Sequence, residues 1–269
     1  MKDNGIEPGK ILRRKRDGEL EYQQDDLTIE EPLEIRIGSK TLATTMRTPG
    51  HDDELAAGFL ISEAIVRDRQ QVAKISGGVD NVVVVELTRG GRVKLNTAQR
   101  FGTISSSCGL CGKTSIDAIR QNFSAIKSAN VRIDIPTLLS LPKKLRKAQN
   151  DFSRTGGIHA AGIFDVNSEL KILREDIGRH NAVDKVIGRA FLDKSLPLDQ
   201  HVLLVSGRVS FEIVQKALAA GIPMVAAVSA PSTLAVDFAR ENNQTLIGFL
   251  RPPSFNIYSH VERVILDAP

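Results

Sequence analysis

Residues 201–250 read HVLLVSGRVSFEIVQKALAAGIPMVAAVSAPSTLAVDFARENNQTLIGFL, and their pattern decides the fold. Three short apolar runs, HVLLV, PMVAAV and QTLIGFL, alternate with two segments of helical spacing, SFEIVQKALAA and PSTLAVDFARENN. Runs such as VLLV and MVAAV lack a polar alternation, as expected of strands covered on both faces. Strand and helix taking turns predict a layered α/β domain, its strands mostly parallel and joined by right-handed crossovers.

The same texture extends upstream. AAGIFDV and ELKILRE read as strands and HNAVDKVIGRAFL as a helix, while a helical stretch after Pro136, with Pro142 inside it, opens the domain, expected over 136–269. Residues 27–135 predict a smaller β-rich domain. There LTIEEPLEIRIGSKTLATTMRT (27–48) alternates apolar and polar positions around Gly38-Ser39, which predicts a hairpin. After Pro49-Gly50, acidic residues open a helix over about 52–66, with Leu55, Phe59, Ile61 and Ile65 at helical spacing. NVVVVELT from Asn81 and GRVKLN at 91–96 predict strands, and FGTISSSCGLCGKTS a loop. Residues 1–26, polar and charged, read as an N-terminal extension, partly disordered. The sequence has no internal repeat and no low-complexity tract.

Composition bounds the function. At 269 residues, 41% hydrophobic and 25% charged, the chain is neither disordered nor collagen-like. No apolar run approaches the ~20 residues of a membrane helix, and the charged N-terminus does not fit a signal peptide, so a cytoplasmic protein without membrane contact is expected. The net charge of +4 is spread apart from two clusters, Arg13 to Arg16 and Lys143 to Lys147. Aromatics are 4% with no Trp, too few for base-stacking platforms, so nucleic acid is not an expected partner. Each cluster reads as a solvated face or as a dock for an acidic partner.

The two cysteines, Cys108 and Cys111, are spaced CxxC. So close a pair cannot staple a fold of this length, so any role is local. Gly109 and Gly112 leave room around the sulfurs, and Lys113 with a following helix, IDAIRQNF, would favour thiolate. A structural pair, a dithiol redox couple, a zinc site lacking its other ligands, and a persulfide relay all remain open on the motif alone. Four turns accompany it. Thr155 to His159 and Glu175 to Asn181 are His-containing, and the second opens a helix where Arg179 and His180 could meet a phosphate. Ser206-Gly207-Arg208 and Ser229 to Thr233 end strands and precede helices, the position of ligand crevices in α/β sheets. Their Ser206, Arg208, Ser229 and Thr233 suit a phosphate-bearing ligand such as a nucleotide, or ordinary helix caps.

Together, SSCGLCGK, TGGIHAAGIF, EDIGRHNAVDKVIG, LLVSGRVSFEIVQKA and VSAPSTLAV, in that order, resemble the FdhD family of sulfur carrier proteins, over about residues 30 to 265. The resemblance implies a cytidine-deaminase-like α/β domain beside the smaller β-rich one, and a homodimer. It implies a sulfurtransferase that takes sulfur from a cysteine desulfurase and passes it, as a cysteine persulfide, to the bis-molybdopterin guanine dinucleotide form of the molybdenum cofactor, for formate dehydrogenase. Cys108 matches the persulfide cysteine and Cys111 the second thiol, while Leu250, Arg251, Pro252, Pro253, Ser254 and Phe255 occupy the cofactor-binding segment. No protein-bound metal is expected. A cofactor-binding chaperone and a redox regulator are the competing functions. Deamination is not expected, because a deaminase needs HxE and His159 is followed by Ala160-Ala161.

Overall fold

Strand residues of the C-terminal half bury both faces of one sheet. In β11 (His201–Val205), Val202 and Leu204 pack on one side, Leu203 and Val205 on the other, and β12 (Met224–Ala227) divides the same way. A period of two with both phases apolar leaves no solvent face. The computed structural model describes residues 5–88, 103–104, 123–127 and 131–266.

In chain order, β1 (Ile6–Arg14) and β2 (Leu20–Thr28) form a hairpin. Next come β3 (Glu31–Ile37), β4 (Lys40–Arg47), α1 (Asp52–Ser62), β5 (Val72–Val79), β6 (Val82–Leu87) and the short β7 (Thr103–Ile104), whose strands form a five-stranded sheet ordered β5-β6-β3-β4-β7. After β8 (Ile133–Asp134) follow α2 (Ile135–Ala148) and α3 (Asn150–Thr155). The chain continues through β9 (His159–Asp165), β10 (Leu170–Asp176), α4 (Arg179–Leu192), β11, α5 (Phe211–Ala219), β12, α6 (Thr233–Glu241), β13 (Thr245–Arg251) and β14 (Ser254–Ser259) to β15 (Val264–Ile265), which pairs with β8. The large sheet is ordered β10-β9-β11-β12-β13-β14.

Only β11, β12 and β13 run parallel to one another in that sheet; β9 is antiparallel to both β10 and β11, and β14 to β13. The sheet is therefore mixed rather than mostly parallel. Val166 to Glu169 and Pro252-Pro253 are too short for a crossover, which needs a dozen residues or more, so their flanking strands can only form hairpins. The stretch 1–26, read as an extension without an assigned element, contributes most of a further hairpin over 6–28, with Gly18 at φ +95 in its turn. The helix predicted over 52–66 stops at Ser62, and the hairpin over 27–48 pairs as expected around Gly38-Ser39. The strand predicted at 91–96 lies outside the described residues.

Helix α1 is buried almost all round because it is wedged between the five-stranded sheet and α4. A Cβ on Gly58 would lie 1.9 Å from the Asp184 carbonyl oxygen, and one on Gly188 1.8 Å from that of Glu54, so the two helices cross with backbones in contact. Beside the crossing, Ser62 Oγ donates to Asp184 (2.7 Å), which also meets Lys216 Nζ (2.8 Å) from α5, all three buried. Burial pushes the Asp184 carboxyl up to about 6, against the pull of Lys216. Burial would lower the Lys216 ammonium, but the carboxylates of Asp184 and Glu212 outweigh it and hold it above its ordinary range. One apolar core runs from Leu33, Ile35 and Val83 through Leu55 and Leu60 to Val183, Ile187, Leu203 and Val225, continuous across the expected boundary at 135/136. A second core, built on Leu138, Leu141 and Leu145 of α2, covers the opposite face of the large sheet.

Candidate functional site

The turns singled out in the sequence fall on one edge of the large sheet. β11, β12 and β13 end there, β9 starts there at His159, and β10 ends beside it, Asp176 opposite His159. The turns after β11 and β12 are tied together: Val209 N donates to the Ala230 carbonyl (3.1 Å) and Ser232 N to that of Val209 (3.0 Å). This is the carboxyl edge where ligands of α/β sheets bind.

A cleft of about 560 Å³ opens at this edge, between Arg146, Gln149 and Phe152 of the α2–α3 region and His159, Ser206 and Val228 of the sheet. Gly156, at φ +67, ends α3 beside it. The bare Gly207 lets three elements meet, since a Cβ there would sit 3.3 Å from the His159 ring and 3.8 Å from Arg179 Cδ. Burial, then the charge of Arg179, holds the His159 imidazole below its ordinary value; Arg208 adds to this and Asp176 opposes it. A neutral imidazole flanked by guanidinium groups can accept a proton or a hydrogen bond while the cations hold an anion.

His180 lies deeper. Its Nε2 is 3.0 Å from Ser210 Oγ and 3.7 Å from Glu212, and Nδ1 has no hydrogen-bond partner among the described residues. Burial lowers it to about 4, with Glu212 opposing and Arg179 and Lys216 reinforcing, so this ring is neutral too. Asp176 is fully buried below it, accepting from Gly178 N (2.8 Å), Asn181 Nδ2 (3.1 Å) and Thr48 N (3.2 Å), with Lys185 Nζ at 2.7 Å. Burial pushes this carboxyl up, and Lys185 and the donors pull it back. Lys185 also donates to the Thr48 carbonyl (2.8 Å), so this knot fastens the end of β4 to the first turn of α4. β7 runs parallel beside β4, Ile104 opposite Thr45, and so heads toward the knot.

The other predicted residues divide. Ser206 lines the cleft but its hydroxyl accepts from Ala160 N (2.9 Å) and so also clamps β9. Ser229 is half-buried, its carbonyl accepting from Phe249 N (3.1 Å). Thr233 is exposed at the start of α6, where Ser232 is the cap through Ala235 N (3.2 Å). Arg208 is exposed. In the Leu250 to Phe255 segment, Leu250 is fully buried in the second core and Phe255 packs on it; Arg251, Pro252, Pro253 and Ser254 face solvent. Arg251 Nε donates to the Val228 carbonyl (2.8 Å), which brings this turn to the cleft's rim. Cys108 and Cys111 lie outside the described residues. Sequence reasoning passed over Gln149, Phe152 and the Asp176–Lys185 knot. The signal for the knot was in HNAVDKVIG, where Asn181, Asp184 and Lys185 occupy the positions that repeat with Gly188 on one helix face.

A family model, FdhD/NarQ, matches residues 28–265. The chain belongs to the FdhD/NarQ family. It is similar to sulfur carrier protein FdhD of Streptomyces coelicolor, 51% identical with 97% of this chain and 98% of that one covered, and to that of Sulfurisphaera tokodaii, 46% identical with 92% and 95% covered. A crystal structure from Desulfotalea psychrophila, described as that of a formate dehydrogenase accessory protein, superposes with a TM-score of 0.79 at 21% identity, covering 97% of this chain and 100% of that one. That likeness shows a shared fold over nearly the whole length of the chain. Among the described residues no group of three or more His, Cys, Asp or Glu is placed to hold a metal ion, and no helix is long and apolar enough to cross a membrane.

Proposed function

We propose that this chain is a sulfur carrier, a persulfide sulfurtransferase that serves formate dehydrogenase. Cys108 takes sulfur from a cysteine desulfurase, and the acceptor is the bis-molybdopterin guanine dinucleotide cofactor, a substrate whose guanine-nucleotide part enters the cleft. One observation carries this reading: β7, the strand that precedes Cys108, runs parallel beside β4, and Thr48 just past β4 bonds Ile177, which lines the cleft with His159. Cys108 follows Ile104 by four residues in the sequence.

In the first step the Cys108 thiolate attacks the terminal sulfur of the donor's persulfide; one S–S bond breaks, another forms, and the donor leaves as a thiolate. His159 and His180, both neutral, take hydrogen bonds from the ligand or a proton, while Arg179, Arg208 and Arg251 face its phosphates. Sulfur leaves Cys108 when the Cys111 thiolate, or an external thiolate, attacks Cys108 Sγ; the persulfide S–S bond breaks, hydrosulfide leaves, and the disulfide formed is reopened by a thiol reductant. In this reading the likeness to cytidine deaminases is one of fold, and the carrier works as a cytoplasmic homodimer with its β-rich part ending near 135.

The test is peptide mass spectrometry after incubation with a cysteine desulfurase and cysteine. A reducible gain of one sulfur on the Cys108 peptide, absent in Cys108→Ala, is the expected result, together with loss of formate dehydrogenase activation in that variant. No gain, with activation independent of both thiols, would replace the carrier with a cofactor-binding chaperone.

A further inference from the structure

The β1–β2 hairpin sorts its side chains by face. Directly opposed residues share a face, so Lys10, Leu12 and Arg14 lie with Gln24, Tyr22 and Leu20, while Arg13 lies with Glu21 and Asp25 on the other side. On that other face Arg13 meets Asp25 at 3.4 Å, and at the tip Lys15 meets Glu19 at 3.0 Å and Glu21 at 2.9 Å. The first face is different. Its carboxylate, Asp26, is taken by Arg154 of α3 at 2.8 Å, which leaves Lys10 stacked over the Tyr22 ring at 5.0 Å and Arg14, among the described residues, with no carboxylate within ion-pair distance. Leu12, Leu20 and Tyr22 are 50%, 62% and 69% exposed. An apolar stripe flanked by uncompensated cations, on a sheet of only two strands, is a surface built to be covered.

The hairpin is rooted beside the site. A Cβ on Gly5 would lie 2.9 Å from Thr48 Cγ2, and Thr28 Oγ1 bonds Thr155 Oγ1 at 3.0 Å. Its base therefore abuts the end of β4, the strand along which β7 runs.

We infer that the Leu12–Tyr22–Leu20 face is the docking surface for the protein that donates sulfur, a partner with an acidic surface around an apolar centre. The inference rests on the sulfur-carrier reading. The acceptor is a small molecule that enters a cleft, whereas a persulfide held on a protein cysteine must be brought to Cys108 by a folded partner. A partner gripping this face stands on the hairpin whose base abuts the end of β4, about 20 Å along the strands from the Leu12–Tyr22 pair. Charge complementarity from Lys10 and Arg14 sets the encounter, and the apolar side chains hold the complex.

The test measures the rate of persulfide loading, by mass spectrometry, against cysteine desulfurase concentration for the full-length wild type, Leu12→Ser/Tyr22→Ser and Lys10→Glu/Arg14→Glu. Each double variant is expected to raise the half-saturating concentration about tenfold with an unchanged maximal rate, the charge variant more at low salt than at high. Circular dichroism identical to wild type establishes folding, and if the apolar variant unfolds the charge variant decides. A wild type that takes no persulfide overturns the carrier reading and this inference with it. Wild-type loading with unchanged half-saturation in the variants overturns the inference alone. So does a change of mass in light scattering, which would give the face to a second copy, or variant-sensitive binding to phosphatidylcholine–phosphatidylglycerol vesicles, which would give it to a lipid surface.

Discussion

The hairpin at 6–28 and the crossing of α1 with α4 both rely on opposite charges, and they use them in contrary ways. In the hairpin, Arg13–Asp25 and the Lys15 pairs sit in solvent, where screening and side-chain entropy leave a pair with little net effect. At the crossing, Asp184 and Lys216 are removed from water, so each partner's desolvation is offset by the other, with Ser62 and Glu212 beside them. The contrast separates two uses of charge: at the surface a pair adds little to stability, and in the core it fixes one geometry.

That contrast can be broken most sharply at Lys216. Lys216→Met strands the Asp184 carboxylate and is expected to cost about 3–5 kcal/mol in urea unfolding, with partial recovery when Asp184→Asn is added. A loss no greater than that of an exposed pair would void the distinction. A pH titration of unfolding tests the buried imidazole next. His180 is lowered from an ordinary 6.5 to about 4, so the unfolded chain binds the extra proton between those values. Its contribution is fully present above pH 6.5 and is lost as pH falls toward 4, about 3 kcal/mol in all. The difference between wild type and His180→Gln isolates it from Asp184, whose raised carboxyl acts in the opposite direction, and a difference that is flat across this window would contradict a buried neutral ring. The smallest effect is expected in the hairpin, where Arg13→Ala should leave the thermal midpoint within about 1 °C; a large drop would mean that surface pairs hold this element after all.

How far the sequence could be read follows the same division. VLLV and MVAAV announced buried strands because both phases of the pleat are apolar, and the turns that follow them landed on one edge because parallel strands place their carboxyl ends together. Strand direction was less legible for β9 and β14, since the deciding signal is the shortness of Val166 to Glu169 and of Pro252-Pro253 rather than any periodicity. The first hairpin was missed although Asp17-Gly18 is a strong hairpin signal, because Arg13 to Arg16 interrupts the alternation beside it. At the site, Arg179, His180, Ser206 and Arg251 could be picked out as polar groups next to apolar elements. Leu250 could not be told from its neighbours: only the pleat, which turns it inward while Arg251 turns outward, separates them. Gln149 and Phe152 reach the cleft through the packing of α2 and α3 on the sheet, a relation that leaves no local pattern.

The contact of Gly58 and Gly188 with the opposing backbones bears on how cargo is handled. A hinge between the two halves would have to part helices that already touch main chain to main chain, beside a buried ion pair that gains nothing from partial opening. The molecule is in this sense a fixed bench with a tool rest on one side. On the sulfur-carrier proposal, sulfur is handed over without parting the two halves, because the bench itself does not fold.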